Sequence, residues 1–156
     1  MDEQVAKLKM PPNSVDAEQS VLGGLMLDNR AFEVVSERLQ PDDFFRAQHA
    51  QIYTLITKLA DEDKPFDVLT LSDELNDIEE LENSGGLTYL SELVENTPSA
   101  ANIAAYADIV KEKALFRRLA EAATDIADSA YNNMGSEALD LISDAEKKIA
   151  EVAEGG

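Results

Sequence analysis

The stretch that decides the fold is residues 102–131, NIAAYADIVKEKALFRRLAEAATDIADSAY, which contains neither proline nor glycine. As an α-helix it would be about 45 Å long, well beyond the usual globular helix. Its apolar stripe begins as Ile103, Tyr106, Ala107, Val110 and Ala114. The stripe continues, shifted by one residue, as Leu115, Leu119, Ala122, Ile126 and Ala130. Because a one-residue offset rotates the apolar face by about 100°, the sequence predicts one long helix with two packing partners.

A second long helix is predicted after the turn at Asn132–Gly135, with Ser136 as its N-cap. Apolar residues at coiled-coil spacing follow at Leu139, Ile142, Ala145, Ile149 and Val152. Residues 99–154 therefore predict an antiparallel helical hairpin that leads to a linker. Two helices alone rarely form an independent core, so we expect a second copy of the chain to cover the exposed apolar face. The alternative is an intramolecular bundle in which the rest of the chain folds back over the hairpin.

The candidate residues for this self-association lie on both helices of the predicted hairpin. They are Leu115, Leu119, Ala122, Ile126, Leu139, Ile142 and Ile149.

Upstream of the hairpin, residues 14–98 predict a compact head of five short helices. The third of these helices is expected over about residues 46–60, and the fifth from the turn at Gly85–Gly86 until shortly before Pro98. Residues 1–13 are expected to form a flexible arm. No segment alternates polar and apolar residues over a strand's length, so the predicted fold class is all-α.

Local signals refine the head. Ser14 is a good N-cap for the first helix, and Gly23–Gly24, which interrupt that helix, are expected to allow close approach by another one. Asn29 is expected to cap the second helix, and residues 70–73 resemble a capping box for the fourth. Phe44–Phe45 are expected to fill the core. The first-turn acids Asp16 and Glu18 would suit the helix dipole.

The charge balance limits the classes of partner that the chain is expected to bind. Asp and Glu number 32 against 13 Lys and Arg, for a formal net charge of -19. Phosphate binding needs clustered basic residues, so little direct nucleic-acid binding is expected. The basic residues Lys111, Lys113, Arg117 and Arg118 lie close together in the sequence. They indicate either a solvated helix face or a contact surface for an acidic partner or a neighbouring subunit.

Catalytic and targeting motifs are absent from the sequence. The chain has no cysteine and one histidine, His49, which is best interpreted as a packing or capping residue. It contains no P-loop, nucleophile-elbow or dinucleotide-binding pattern. We therefore expect no catalytic residue, cofactor or metal site. No apolar run would span a bilayer and the first ten residues lack a signal-peptide core, so a cytoplasmic location is expected.

Several ordered sequence blocks nevertheless form a specific pattern. The first block is PPNSVDAEQSVLGG at Pro11–Gly24. The later blocks are Asp42–Phe45, His49, Pro65–Asp67, Gly85–Leu90, Pro98–Asn102 and Tyr106–Lys113. Together they cover nearly all of residues 11–131, and they resemble the N-terminal part of the bacterial replicative hexameric DNA helicase, the DnaB type.

This resemblance implies a non-catalytic domain in which hairpins pair two subunits and three pairs form a ring above the motor domains. The same layer would bind the C-terminal domain of primase and hold it at the replication fork, and a helicase loader is a further possible partner. The candidate primase contacts are Asp16, Tyr89, Ala120 and Ile126. The P-loop ATPase domain is absent from these residues, so ATP, magnesium and DNA unwinding are expected only of a parent helicase.

Three other functions stay open at this point. A net charge of -19 permits an acidic DNA mimic, although the ordered blocks argue against it. A primase C-terminal domain has a similar helical form but lacks the opening block. A stand-alone enzyme has no motif in its favour.

Overall fold

The computed structural model describes residues 10–77 and 86–155, and within those ranges every regular element is helical. The α-helices are α1 Val15–Leu27, α2 Phe32–Ser36, α3 Ala47–Asp61, α4 Val68–Asp77, α5 Gly86–Glu95, α6 Ile103–Tyr131 and α7 Ala138–Glu154. The predicted all-α class, with five short helices followed by two long ones, is confirmed. Expectations for residues 1–9 and 78–85, including most of the arm and the turn residue Gly85, lie outside the described residues.

The chain divides into two compact units. We call Ser14–Lys111 the head, and residues 10–13 with 112–155 the hairpin unit. This boundary lies within α6, whereas the division made from the sequence lies after Pro98. The difference is the start of α6, where Ile103, Ala107 and Val110 belong to the hydrophobic core of the head.

The head is built around α1, which lies against both α3 and α5. Val21, Leu22 and Leu25 of α1 are completely buried. A Cβ atom at Gly23 would collide with the Thr97 hydroxyl and the Leu93 carbonyl oxygen. The predicted close approach is thus confirmed. The predicted interruption is wrong, because α1 continues through both glycines.

Gly23→Ala is expected to destabilise the head by about 2 kcal/mol, because a buried backbone carbonyl cannot move aside for the new methyl group. Gly24→Ala is the matched control: its Cβ would meet only side chains, chiefly the Cδ1 of Ile103 at 2.9 Å. Both changes gain about 1 kcal/mol of helix propensity. Urea unfolding of the two variants measures the difference, and equal stabilities would contradict the close-packing explanation.

Of the two caps predicted for α1 and α2, the first is confirmed and the second is wrong. Ser14 caps α1, accepting a hydrogen bond from the Ala17 amide at 3.3 Å. Asn29 is not the cap. Asp28 accepts the Arg30 amide at 3.1 Å and caps the 3₁₀ turn Asn29–Ala31 that precedes α2. Asn29 instead donates to the Phe66 carbonyl at 2.8 Å and accepts the Phe66 amide at 3.0 Å. Its side chain is therefore committed to a distant loop.

The caps predicted at residues 70–73 and at Ser136 are also wrong. Asp67 and Thr70 form the reciprocal capping pair before α4: the Thr70 amide donates to Asp67 Oδ1 at 2.9 Å. The Asp67 amide donates to Thr70 Oγ1 at 2.8 Å. α7 begins at Ala138, with Glu137 at the N-cap position and no side-chain cap.

The aromatic core of the head contains only one of the two predicted phenylalanines. Phe44 is buried and its ring centroid lies 5.0 Å from that of Tyr53, whereas Phe45 is exposed. The Tyr53 hydroxyl donates to the Leu39 carbonyl at 3.1 Å. Burial, assisted by the charge of Asp43, raises the pKa of Tyr53 above its ordinary value, so this group stays a neutral donor.

In the hairpin unit, α6 is followed by a turn in which Gly135 has φ +75, a left-handed conformation suited to glycine. No residue of α7 is buried. Its half-buried positions are Leu141, Ala145, Lys148 and Val152. None of the helices that the structure describes is long and apolar enough to cross a membrane.

Candidate partner-binding surfaces

A buried carboxylate on α1 joins three parts of the head. Glu18 is almost completely buried. Its Oε2 accepts the Phe45 amide at 2.7 Å, and its Oε1 accepts the Arg46 amide at 3.4 Å. Arg46 is the N-cap residue of α3 and provides no side-chain cap of its own. Glu18 therefore fixes the backbone that leads into α3 from a neighbouring helix, a role beyond that of the first-turn acid predicted from the sequence.

His49 connects this carboxylate to Tyr89 on α5. The imidazole is completely buried, with Nδ1 2.7 Å from Glu18 Oε1 and Nε2 2.5 Å from the Tyr89 hydroxyl oxygen. The two rings stack with their planes 10° apart. Gln19 Nε2 donates to the same hydroxyl at 3.1 Å. The burial of His49 agrees with its interpretation as a packing residue. Its hydrogen bond to Tyr89 is a further feature that only the fold reveals.

A cavity of about 350 Å³ opens beside Tyr89 on the head. It is lined by Asp16, Gln19, Ser20, Tyr89, Glu92, Leu93, Asn96 and Thr97. We call it the head cavity. Asp16 is exposed and Tyr89 is half-buried, so two of the four candidate primase contacts share one surface. Its remaining polar lining contains no basic side chain.

The other two candidate primase contacts, Ala120 and Ile126, belong to the hairpin unit. Ala120 is exposed and lines a cavity with Pro11, Pro12 and other residues of α6. Ile126 is half-buried and lines a different cavity, with Leu141 and other residues of α7. The structure therefore does not bring these two residues together in one cavity.

The hairpin unit presents large apolar side chains to solvent. Leu139 is 77% exposed, Ile142 53% and Ile149 42%. Ile142 and Ile149 line one shallow depression together with alanine neighbours. We call Leu139, Ile142 and Ile149 the apolar face of α7. Of the remaining candidate self-association residues, Leu119 is exposed, Leu115 and Ile126 are half-buried, and Ala122 is buried.

The cluster of basic residues has specific contacts within the chain. Lys111 Nζ lies 3.0 Å from Asp43 Oδ2, and its side chain is only 16% exposed. In the hairpin unit, Arg117 Nη1 donates to the Pro12 carbonyl at 2.9 Å. The interpretation of this group as a solvated face is therefore wrong for Lys111, because Asp43 holds it in the head. Within residues 10–77 and 86–155 no cluster of His, Asp and Glu could hold a metal ion.

Comparison with known proteins gives consistent matches. Residues 10–112 match the family described as the DnaB-like helicase N terminal domain. The chain is 42% identical to the replicative DNA helicase DnaB of Buchnera aphidicola subsp. Baizongia pistaciae over 154 residues, which cover 99% of this chain and 33% of that protein. It is 44% identical to the replicative DNA helicase DnaC of Bacillus subtilis, over 94% of this chain and 32% of that protein. The chain thus spans about a third of the length of these curated relatives.

Solved structures agree with the fold. The N-terminal domain of the DnaB helicase from Mycobacterium tuberculosis superposes with a TM-score of 0.87 at 40% identity, covering 91% of this chain and 99% of that one. A DnaB-like replicative helicase, described with its interactions with primase, gives a TM-score of 0.72 at 23% identity, covering 87% of this chain and 31% of that one. The family match over residues 10–112 and the identity to the mycobacterial domain lead to one conclusion. The chain belongs to the DnaB-like helicase N-terminal domain family.

Proposed function

We propose that this chain is the assembly and primase-docking domain of a replicative DNA helicase. One observation carries the proposal: the head and the hairpin unit each present a surface of different chemistry. Asp16 and Tyr89 line the polar head cavity, whereas the apolar face of α7 is exposed in the hairpin unit. A polar surface that contains a tyrosine is typical of transient binding, and an apolar helix face is typical of permanent association with an identical surface.

Self-association would use the apolar face of α7. Burying apolar surface stabilises an interface by about 25 cal/mol per Å², and the three side chains of this face are each more than two-fifths exposed. A second copy of the chain offers an identical face, as expected for a two-fold symmetric dimer. Three such dimers would form the ring that the resemblance implies. Leu119 on α6 would extend the contact.

Primase docking would use the head cavity. Tyrosine is enriched at binding hot spots because its ring supplies area and its hydroxyl supplies a hydrogen bond. Tyr89 meets both conditions, since its hydroxyl is hydrogen-bonded to the buried His49 and its side chain lines the head cavity. The DnaB-like helicase described with primase shares this fold, which supports a primase partner for this chain as well. Ala120 and Ile126 are proposed as secondary contacts.

The remaining activities are proposed for a longer protein. The relatives are about three times as long as this chain, and the sequence here contains no P-loop for ATP and magnesium. ATP-dependent unwinding is therefore assigned to a motor domain, while this domain organises the assembly. A bacterial cytoplasmic location at the replication fork and contact with a helicase loader complete the proposal. With 32 acidic against 13 basic residues, direct contact with nucleic acid would be minor.

Tyr89→Ala is expected to weaken binding of the primase C-terminal domain about 30-fold, the effect of removing a typical interface hot spot. Isothermal titration calorimetry measures the affinity, and circular dichroism establishes that the helical content is kept. Tyr131→Ala is the matched control, since Tyr131 is a tyrosine of the hairpin unit that does not line the head cavity and is 88% exposed. A folded Tyr89→Ala variant that binds primase undiminished would remove the docking assignment.

The assembly mass with and without the primase C-terminal domain tests both halves of the proposal together. A chain that remains monomeric across micromolar concentrations and does not bind primase would refute self-association and docking alike.

A further inference from the structure

We infer that His49, held by Glu18, is a positioning residue that fixes the orientation of the Tyr89 hydroxyl at the head cavity. This inference rests on the proposed docking of primase at that cavity. His49 is completely buried and does not line the cavity. Its contact with Tyr89, which does line the cavity, is the route by which it can affect a partner there.

The direction of the hydrogen bonds follows from the groups at the buried end. Both carboxylate oxygens of Glu18 already face backbone N–H donors, from Phe45 and Arg46. The Nδ1 atom of His49, 2.7 Å from Oε1, must therefore act as a donor. A neutral imidazole that carries its proton on Nδ1 has a lone pair on Nε2. The Tyr89 O–H must then donate to that lone pair.

Gln19 completes the chain in the same direction. Its amide nitrogen donates to the Tyr89 oxygen at 3.1 Å, as required of a hydroxyl whose own proton points towards His49. The remaining lone pair of the Tyr89 oxygen is the part that a partner can reach. Tyr89 therefore presents an acceptor in the head cavity, as do the carboxylates of Asp16 and Glu92, which also line it. A docking primase must supply an N–H or O–H donor at this point.

Fixing the hydroxyl before docking would increase affinity, because an ordered group loses less rotational freedom on binding. Without Nε2 as its acceptor, the Tyr89 O–H could turn outwards and donate to water instead. We therefore expect the loss of this hydrogen bond to weaken primase binding about tenfold, the effect of one buried hydrogen bond.

Two substitutions at His49 separate positioning from a merely structural role. His49→Gln places an amide near the former Nε2 and can still bond Tyr89, whereas His49→Asn places it near Nδ1 and can still bond Glu18. Positioning predicts that the Gln variant binds the primase C-terminal domain within about threefold of the unsubstituted chain, and that the Asn variant binds about tenfold more weakly. A role limited to stabilising the fold predicts the opposite order, since only Asn retains the Glu18 bond.

A double-mutant cycle with Tyr89→Phe gives the second readout. If His49 acts through the hydroxyl, His49→Asn causes no further loss of affinity once that hydroxyl is absent, although its effect on the melting temperature remains. An unchanged affinity loss in the Tyr89→Phe background would overturn the inference. If Tyr89→Ala itself left primase binding intact, the proposed docking site would fail instead, so the two failures are distinguishable.

The unsubstituted chain supplies a test that does not depend on any variant folding. His49 is its single histidine, so ¹⁵N-labelled histidine gives one pair of ring resonances. Nuclear magnetic resonance at neutral pH is expected to report the tautomer with the proton on Nδ1. A ring that carries a proton on Nε2, alone or together with one on Nδ1, would make Nε2 the donor to the Tyr89 oxygen and overturn the inference.

Discussion

Glu18→Ala is expected to lower the free energy of unfolding of the head by about 3–5 kcal/mol. The change removes the acceptor for the part-buried Phe45 and Arg46 amides and for the completely buried His49. Each buried donor that loses its acceptor costs about 1–3 kcal/mol. Urea denaturation followed by circular dichroism measures the loss.

Asp16→Ala is the control for this prediction. Asp16 is another acid in the first turn of α1 but is exposed, so its removal should cost less than about 1 kcal/mol, the usual value of a helix-dipole interaction. Glu18→Gln should fall between the two, because an amide keeps one acceptor oxygen and most of the volume. Equal losses for Asp16→Ala and Glu18→Ala would show that Glu18 acts only on the helix dipole.

Periodicity explains why so much of the architecture could be predicted from the sequence. The apolar spacing along residues 103–110 sets a helix and the face that it buries, and Ile103, Ala107 and Val110 are indeed buried. The same reasoning placed α1, α3 and α5 within a few residues. These features depend on neighbours three or four positions apart, so a single sequence contains the whole signal.

The caps show where local reasoning fails. Asp, Asn and Thr are all good caps, so the neighbouring pair Asp28 and Asn29 gives two equivalent choices. The distant loop at Phe66 decides between them by engaging Asn29. Phe44 and Phe45 pose the same problem, since two adjacent aromatic residues cannot both point into one core. Contacts distant in sequence settled each case, and local patterns do not encode them.

The network around His49 left a trace in the sequence. Glu18 lies at helical spacing from Leu22 and Leu25, so it occupies the buried stripe of α1 rather than its solvated face. An acid on an apolar stripe needs a buried partner, and a chain with one histidine offers an obvious candidate. The pairing itself spans 31 positions, however, and the contact of His49 with Tyr89 depends on how α1, α3 and α5 pack.

The double substitution Ile142→Glu with Ile149→Glu is expected to convert a self-associating chain to a monomer at micromolar concentrations. Each isoleucine is only about half exposed before association, so burying it would contribute about 0.8–1.5 kcal/mol. In a two-fold dimer each substitution occurs twice, and each carboxylate introduced there would add a desolvation cost. A combined loss of about 5 kcal/mol weakens association by more than a thousandfold. Sedimentation velocity of both proteins over a concentration series measures the change. Because α7 has no buried residue in the isolated chain, the substitutions should leave its helix intact.

Ser143→Glu with Lys147→Gln is the matched control for charge. Both residues are exposed on α7 and lie outside its apolar face, and the pair lowers the net charge by the same amount as two Ile→Glu changes. If general repulsion between acidic chains governed assembly, both double variants would dissociate, and more salt would restore them equally. If the apolar face governs it, only the isoleucine variant becomes monomeric, and salt does not restore its dimer. A persistent dimer in the isoleucine variant would instead assign the contact to another surface, with exposed Leu119 on α6 the next residue to substitute.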